Sequence, residues 1–162
     1  MKIREYQLAD QQGVLDLIVP IQQQEFGIAI TLEDQPDLCQ VRSFYQTGKG
    51  NFWVAEDNGV VVGTIALIDI GAGQGALRKM FVHKDYRGAK QTAKKLLDVL
   101  LNWSREQGLR EIYLGTTVKF LAAHRFYEKN GFVEMAKEQL PSAFPVMKVD
   151  SRFYKYILEA CN

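Results

Sequence analysis

The spacing of apolar residues changes several times along the chain, and each change predicts a different element of secondary structure. Residues 2 to 8 alternate weakly between apolar and polar side chains, which indicates a first strand. Asp10 is the expected N-cap of a helix that runs to about Gln24, and a short helix is predicted from Leu38 to Tyr45. The buried stripe of the first helix consists of Val14, Leu17, Ile18 and Ile21.

The middle of the chain has the pattern of two consecutive β-hairpins. Residues 51 to 56 and 60 to 70 are rich in aromatic and β-branched side chains, and Asn58-Gly59 between them favours a type I′ turn. Gly71-Ala-Gly-Gln-Gly75 predicts a flexible hairpin loop before a third strand from Ala76 to Val82. The glycine spacing differs from GxGxxG and no long helix follows directly, which argues against a dinucleotide site.

The second half of the chain contains the clearest helix, predicted from Gln91 to Gln107 and ended by Gly108. Its apolar face consists of Ala93, Leu96, Leu97, Leu100 and Trp103. The elements predicted after it are a strand, a helix and two further strands, at 111 to 116, 120 to 130, 132 to 137 and 152 to 158.

The composition narrows the class of protein. The 162 residues are 47% hydrophobic and 24% charged, which predicts a single globular domain over residues 1–162. No run approaches the roughly 20 apolar residues of a transmembrane helix, and the N-terminus lacks a signal-peptide pattern. We therefore expect a cytoplasmic protein, and a net charge of +1 gives no general reason to bind nucleic acid or a membrane. Cys39 and Cys161 lie far apart, so we expect free thiols and no metal site.

A strand, a small basic loop and a helix follow one another between Lys79 and Leu97. Such a turn presents unpaired backbone N–H groups and the positive end of a helix dipole, which together bind anions. Basic residues add positive charge at the same end, namely Arg87, Lys90, Lys94 and Lys95. Taken alone, the pattern is equally typical of a solvated basic helix start.

Two motifs in this order resemble the signatures of the GNAT acetyltransferase superfamily. Residues 82 to 88 read V-H-K-D-Y-R-G and fit a V-x-x-x-x-R-G loop, and residues 126 to 132 read F-Y-E-K-N-G-F and fit a Y-E-K-x-G-F motif. With the hairpin before them, the resemblance covers about residues 51 to 135. It implies an α/β (α+β) fold with a mostly antiparallel central sheet and helices on both faces. Parallel strands at 76 to 82 and 111 to 116 would splay apart and hold acetyl-CoA, the co-substrate, in the gap.

The resemblance also assigns residues to the cofactor. The backbones of Met80, Phe81 and Val82 are expected to pair with the pantetheine amides. The pyrophosphate is expected to lie on the backbone of Arg87, Gly88, Ala89, Lys90, Gln91, Thr92 and Ala93. Two residues depart from the family pattern: Gln91 stands where a glycine is usual, and Phe120 where many members carry an asparagine that contacts the cofactor.

Acetyl transfer to an amine needs two proton movements. A lysine-like amine with a pKa of about 10.4 must lose a proton, and the leaving thiolate gains one. Tyr127 falls on the tyrosine of the second motif, and the resemblance implies that its hydroxyl protonates the cofactor sulfur, although its helical spacing alone fits a core aromatic. The base stays open between a water relay and five side chains: Glu25, Glu33, Asp69, His83 and His124.

The predicted function is an N-acetyltransferase that moves the acetyl group of acetyl-CoA to a primary amine of a small molecule or peptide. The acceptor is expected to enter over residues 24 to 50 and the loop at 141 to 150, where Glu25 and Glu33 would suit a cationic amine. The alternative is a non-catalytic acyl-CoA-binding sensor, suggested by the altered loop and by a strand at 75 to 81 without an acid. A nucleotide-dependent kinase is disfavoured because GxxxxGK is absent. A monomer and a homodimer are both compatible with the sequence.

Overall fold

The computed structural model describes residues 1–159, and a seven-stranded sheet forms its centre. The strands are β1 (Lys2–Glu5), β2 (Asn51–Asp57), β3 (Val60–Gly71), β4 (Gln74–Val82), β5 (Glu111–Thr116), β6 (Val133–Met135) and β7 (Arg152–Ile157). Their order across the sheet is β1-β2-β3-β4-β5-β7-β6, and β4 with β5 is the parallel pair. The predicted mostly antiparallel sheet is confirmed.

Helices cover both faces of the sheet, as predicted. They are α1 (Gln11–Pro20), α2 (Val41–Phe44), α3 (Thr92–Glu106) and α4 (Leu121–Lys129), and α1 continues through a π-helical turn, Ile21–Glu25. Helix α3 buries its leucines against one face of β2, β3 and β4, and α1 and α2 cover the other face. Within residues 1–159, no helix is both long and apolar enough to cross a membrane.

The parallel strands β4 and β5 pair over three rungs only. Residues 74 to 76 pair with residues 111 to 113, after which the two strands separate while β5 keeps its antiparallel pairing with β7. The backbone groups of residues 77 to 82 that face β5 therefore have no sheet partners there. This divergence confirms the predicted splay and opens the centre of the sheet.

A β-bulge interrupts β4 beside this opening. Thr64 of β3 pairs with Phe81 and Ala66 pairs with Arg78, so Lys79 and Met80 oppose one residue, and Lys79 has a positive φ of 54°. The Thr64 hydroxyl donates to the Lys79 carbonyl at 2.7 Å. A bulge changes the alternation of side chains along a strand. Here the side chains of Arg78 and Lys79 both reach residues on the α1 and α2 side of the sheet.

Several predicted boundaries are wrong. The first strand ends at Glu5. Asp10 occupies the predicted N-cap position of α1, but its side chain caps no helical N–H, because its carboxylate accepts from the Gln7 N–H at 2.8 Å and pairs with Arg4. The connection at 71 to 75, predicted as a flexible loop, is a tight turn: β3 continues to Gly71 and β4 begins at Gln74. Ala72 and its two glycine neighbours adopt the positive φ values that this turn requires. The predicted I′ turn at Asn58-Gly59 is confirmed by φ values of 51° and 79°.

The shorter elements also differ from the prediction. The helix predicted at 38 to 45 is limited to α2, preceded by a 3-10 turn, Pro36–Cys39, and the strand predicted at 132 to 137 is limited to β6. Cys39 is exposed with a free thiol, whereas Cys161 lies outside the described residues.

Candidate active site

A cavity of about 340 Å³, which we call the larger cavity, lies where β4 and β5 separate. Eight residues predicted to contact the cofactor line it: Met80, Phe81, Val82, Arg87, Gly88, Ala93, Phe120 and Tyr127. Lys90, Gln91 and Thr92 are not among the lining residues, and the side chain of Ala89 is outside what the structure describes. Other lining residues, which were not predicted from the sequence, include Ile21, Phe26, Leu77, Gly115, Ala122, Ala123 and Phe126.

The N-terminus of α3 lies at the Arg87 end of the larger cavity. The first bond into the helix runs from the Lys95 N–H to the Gln91 carbonyl at 3.0 Å, which leaves the N–H groups of residues 92 to 94 without a partner within the helix. Gln91 has φ 53° and ψ 30°, so it adopts the left-handed conformation that glycine favours. The turn needed for an anion site is present although the glycine is not.

Internal partners already engage most of the basic residues at this end. Arg87 forms a two-point ion pair with Glu25, its second contact being 2.8 Å, and its Nε donates to the Val82 carbonyl. Lys94 pairs with Asp98, and Lys90 lies 4.4 Å from the centre of the Tyr86 ring. The Arg87 and Glu25 side chains are each more than a third exposed, so the pair is open to exchange with an incoming anion.

Tyr127 lies on α4 and is 4% exposed. Its ring packs against Phe132 and Tyr154 at centroid distances of 5.5 and 6.0 Å. The Tyr127 hydroxyl has no hydrogen-bond partner among the described residues. Every fully buried side-chain oxygen in that part of the chain has a partner, so this hydroxyl is not fully buried. It therefore keeps access to the cavity that Tyr127 lines. Burial raises the pKa of Tyr127 well above its ordinary value, so the phenol holds its proton at neutral pH.

A second, smaller cavity of about 100 Å³ lies on the α1 side of the same opening. Both cavities are lined by Leu77, Arg78, Lys79, Phe81, Gly115 and Phe120. The Phe120 ring stands edge-on to Phe26 and Phe81, at centroid distances of 4.7 and 6.2 Å. The remaining wall of the smaller cavity comes from Gln22, Ile28, Ile30, Thr116, Thr117 and residues of the loop at 144 to 150.

One carboxylate, that of Asp150, lines the smaller cavity. It accepts a hydrogen bond from the Met147 N–H at 2.8 Å and lies against β5 so closely that a Cβ at Gly115 would meet it at 2.6 Å. Burial raises the pKa of Asp150, while Arg78 and Lys79 oppose that rise. Asp150 was not predicted as a site residue, because nothing local in the sequence connects it with Gly115.

The side chains proposed as a base from the sequence lie elsewhere. His124 donates from Nε2 to the Thr117 carbonyl at 2.9 Å and accepts at Nδ1 from Arg152 at 3.0 Å, which engages both nitrogens. His83 accepts the Asp85 N–H in its own loop. Asp69 accepts the Lys49 N–H, and neither it nor Glu33 lines the larger or the smaller cavity. Glu25 is held by Arg87, which lowers the pKa of its carboxyl.

The splayed strands and the helix N-terminus beside them agree with the transferase site that the two sequence motifs predict. A family model described as the acetyltransferase (GNAT) family matches residues 15–132. The chain therefore belongs to this family, which uses acetyl-CoA as co-substrate. The predictions of the family and of the fold are confirmed. The prediction that the protein is an acyltransferase is confirmed at the level of the family.

Individual proteins agree with this assignment. The crystal structure of a GNAT-family acetyltransferase from Staphylococcus aureus Mu50 has a TM-score of 0.95 at 43% identity, over 98% of this chain and 99% of that chain. The probable N-acetyltransferase family 8 member 5 of Mus musculus is 32% identical over 108 residues, 64% of this chain and 47% of that protein. The amino-acid acetyltransferase of Pseudomonas fluorescens Pf-5 is 32% identical over 143 residues, 88% of this chain and 30% of that protein. The chain thus spans about half or less of these curated relatives.

Proposed function

We propose that this chain is an N-acetyltransferase that transfers the acetyl group of acetyl-CoA to a primary amine of a small molecule. The observation that carries the proposal is the separation of β4 from β5 after three rungs, which opens two adjoining cavities at one point of the sheet. The larger cavity reaches a helix N-terminus, and the smaller one reaches a carboxylate. Two reactants can therefore meet at the opening from opposite sides.

The residues of the larger cavity suit an acyl-CoA. The β5-facing backbone of residues 77 to 82 offers amide and carbonyl groups to an extended amide chain, and the N–H groups at the start of α3 suit a pyrophosphate. Apolar side chains such as Met80 and Phe126 exclude water from the space between. When bound there, acetyl-CoA supplies an activated thioester.

We propose that two side chains of this chain move the protons. Asp150 accepts a proton from the acceptor ammonium, which frees the nitrogen lone pair for attack on the acetyl carbonyl. As the new C–N bond forms and the C–S bond breaks, the Tyr127 hydroxyl gives its proton to the departing sulfur. The nitrogen of the adduct loses its second proton to solvent as the amide forms. Exchange with solvent then returns a proton to Tyr127 and removes one from Asp150, so the products are an acetamide, free CoA and one released proton.

Calorimetric titration with acetyl-CoA, and separately with CoA, tests the first half of this proposal. We expect saturable one-to-one binding. Ala93→Glu places a carboxylate at the start of α3, where the helix dipole favours it, but beside the expected phosphates. Two like charges about 4 Å apart repel by about 4 kcal/mol at an effective dielectric constant of 20, so the Kd should rise at least about 100-fold.

Lys95→Gln is the matched control, because it changes the net charge by the same one unit on an exposed residue of the same turn outside the cavity. We expect its Kd to change by less than about fivefold. Absence of binding at millimolar acetyl-CoA would refute the proposal.

A screen of amines by release of CoA thiol tests the second half. Turnover of a primary amine is the expected result. Saturable acetyl-CoA binding without thiol release from any amine would instead support the non-catalytic acyl-CoA sensor. The carboxylate of Asp150 favours the enzyme, since a sensor needs no proton acceptor beside the thioester site.

A further inference from the structure

The Arg78 guanidinium lines the smaller cavity without an acidic partner. Its Nη2 donates to the Met147 sulfur at 3.2 Å, a weak acceptor, and its Cζ lies 5.9 Å from the centre of the Phe44 ring. Among residues 1–159, no carboxylate forms an ion pair with it. A half-buried guanidinium whose five donors are so poorly satisfied is suited to binding an anion.

The neighbouring cation, Lys79, is in the opposite situation. Its side chain is only 6% exposed, and its Nζ contacts the Gln35 side-chain oxygen at 2.5 Å and the Asp37 carboxylate at 3.7 Å. Asp37 in turn accepts the Tyr45 hydroxyl. Lys79 also lines the cavity, but its charge is engaged by Gln35 and Asp37, so Arg78 is the lining cation that is free to bind an anion.

The carboxylate of Asp150 provides the complementary charge. It lies against Gly115, which lines both cavities, and it is therefore close to the point where the two reactants meet. Arg78 lines the same cavity, and its charge acts on the pKa of Asp150. The smaller cavity is thus lined by one carboxylate and two cations, and of the two cations Arg78 is the one without an acidic partner.

We infer that the acceptor is a small zwitterion, a free amino acid whose ammonium binds Asp150 and whose carboxylate binds Arg78. This assignment rests on the proposed N-acetyltransferase function and names its substrate class. The smaller cavity, of about 100 Å³, adjoins the larger one, and its size suits a small acceptor rather than a folded protein segment. Its apolar walls, including Ile28, Ile30 and Phe144, suit an apolar side chain.

The test compares amino acids with the amines that lack their carboxylate, in the same thiol-release assay. Leucine and phenylalanine are paired with isoamylamine and phenethylamine, and spermidine represents a polycation. We expect kcat/KM for each amino acid to exceed that of its paired amine by at least about 10-fold, the value of one hydrogen bond between charged groups. Equal or faster turnover of the paired amines would overturn the inference.

Two substitutions separate the two charges. Arg78→Met should raise the KM for leucine by at least about 10-fold and leave that for isoamylamine unchanged, and Arg78→Lys should recover part of the loss. Asp150→Asn should lower kcat for both substrates. Lys148→Met removes a cation from an exposed position of the same loop and should change neither parameter by more than about twofold.

Acetyl-CoA titration of every variant keeps the two proposals distinguishable. Wild-type protein that binds no acetyl-CoA would refute the proposed function itself. Wild-type protein that binds acetyl-CoA but turns over none of the amino acids would refute only the zwitterionic acceptor. The same conclusion would follow from an Arg78→Met variant that binds acetyl-CoA and keeps the wild-type unfolding midpoint, if the substitution changed the KM values for leucine and isoamylamine by the same factor.

Discussion

Replacing Tyr127 by phenylalanine should separate catalysis from stability. The substitution removes one oxygen atom and keeps the ring that packs against Phe132 and Tyr154. The hydroxyl has no hydrogen-bond partner among the described residues, so its loss breaks no bond within the fold. We therefore expect Tyr127→Phe to fold normally and to lose the proton donor for the leaving thiolate.

The two magnitudes follow from the surroundings of the hydroxyl. General acid catalysis contributes about 100-fold or more to a rate, so kcat should fall by at least that factor. The hydroxyl keeps access to the cavity and forms no hydrogen bond within the described residues, so the free energy of unfolding should change by less than about 1 kcal/mol. Because burial raises the pKa of Tyr127, the effect on kcat should persist across neutral pH.

Tyr154→Phe is the matched control. Its ring touches Tyr127, but its hydroxyl donates to Glu128 at 2.6 Å and does not line the larger cavity. Loss of a hydrogen bond to a charged acceptor should cost about 1.5–3 kcal/mol of stability, while kcat should change by less than about threefold.

Thiol release under saturating acetyl-CoA measures kcat for both variants, and urea unfolding measures their stability. If Tyr127→Phe keeps kcat within about twofold of the wild type, Tyr127 does not protonate the leaving group. A Tyr127→Phe protein that loses several kcal/mol of stability would equally contradict the reasoning, since it would mean that the hydroxyl has a structural partner.

Three further predictions concern single side chains around the site. Gln91→Gly relieves a left-handed residue, worth roughly 1–2 kcal/mol, against roughly 0.5–1 kcal/mol of glycine entropy. Urea unfolding should show a net gain of up to about 1.5 kcal/mol, and a net loss would contradict the prediction. Glu25→Gln frees Arg87 from an ion pair worth about 0–1 kcal/mol, so the calorimetric Kd for CoA should fall by at most about fivefold. A rise in this Kd would mean that Glu25 orients Arg87 for binding CoA. Burial lowers the pKa of Lys79 to about 8, so between pH 8 and 10.5 the unfolded chain binds the proton that the folded chain has lost, and stability rises with pH. The unfolding free energy should increase by about 2 kcal/mol from pH 7 to 9.5, and this increase should be absent from Lys79→Met; parallel pH profiles of the two proteins would refute it.

Local chemistry determined much of the fold and part of the candidate site. The hairpin at residues 51 to 70 was predictable because Asn58-Gly59 supplies the positive φ values of its turn. Helix α3 was predictable because its leucines recur on one face and Gly108 follows it. The two motifs, at residues 82 to 88 and around Tyr127, together indicated the family. The roles of the individual site residues, the single domain, the cytoplasmic location and the oligomeric state stay predictions.

The tertiary structure alone decided where the two cavities open and which charges face them. Strand alternation predicts opposite faces for Arg78 and Lys79, and the bulge opposite Ile65 brings both to one face. Asp150 reaches Gly115 across 35 residues of chain, a contact that no local pattern encodes. His124 has a suitable intrinsic pKa, yet contacts with Thr117 and Arg152 occupy both of its nitrogens. Short-range patterns set the strands and helices, whereas bulges, loop docking and side-chain pairing depend on contacts between distant segments, and these contacts make the site.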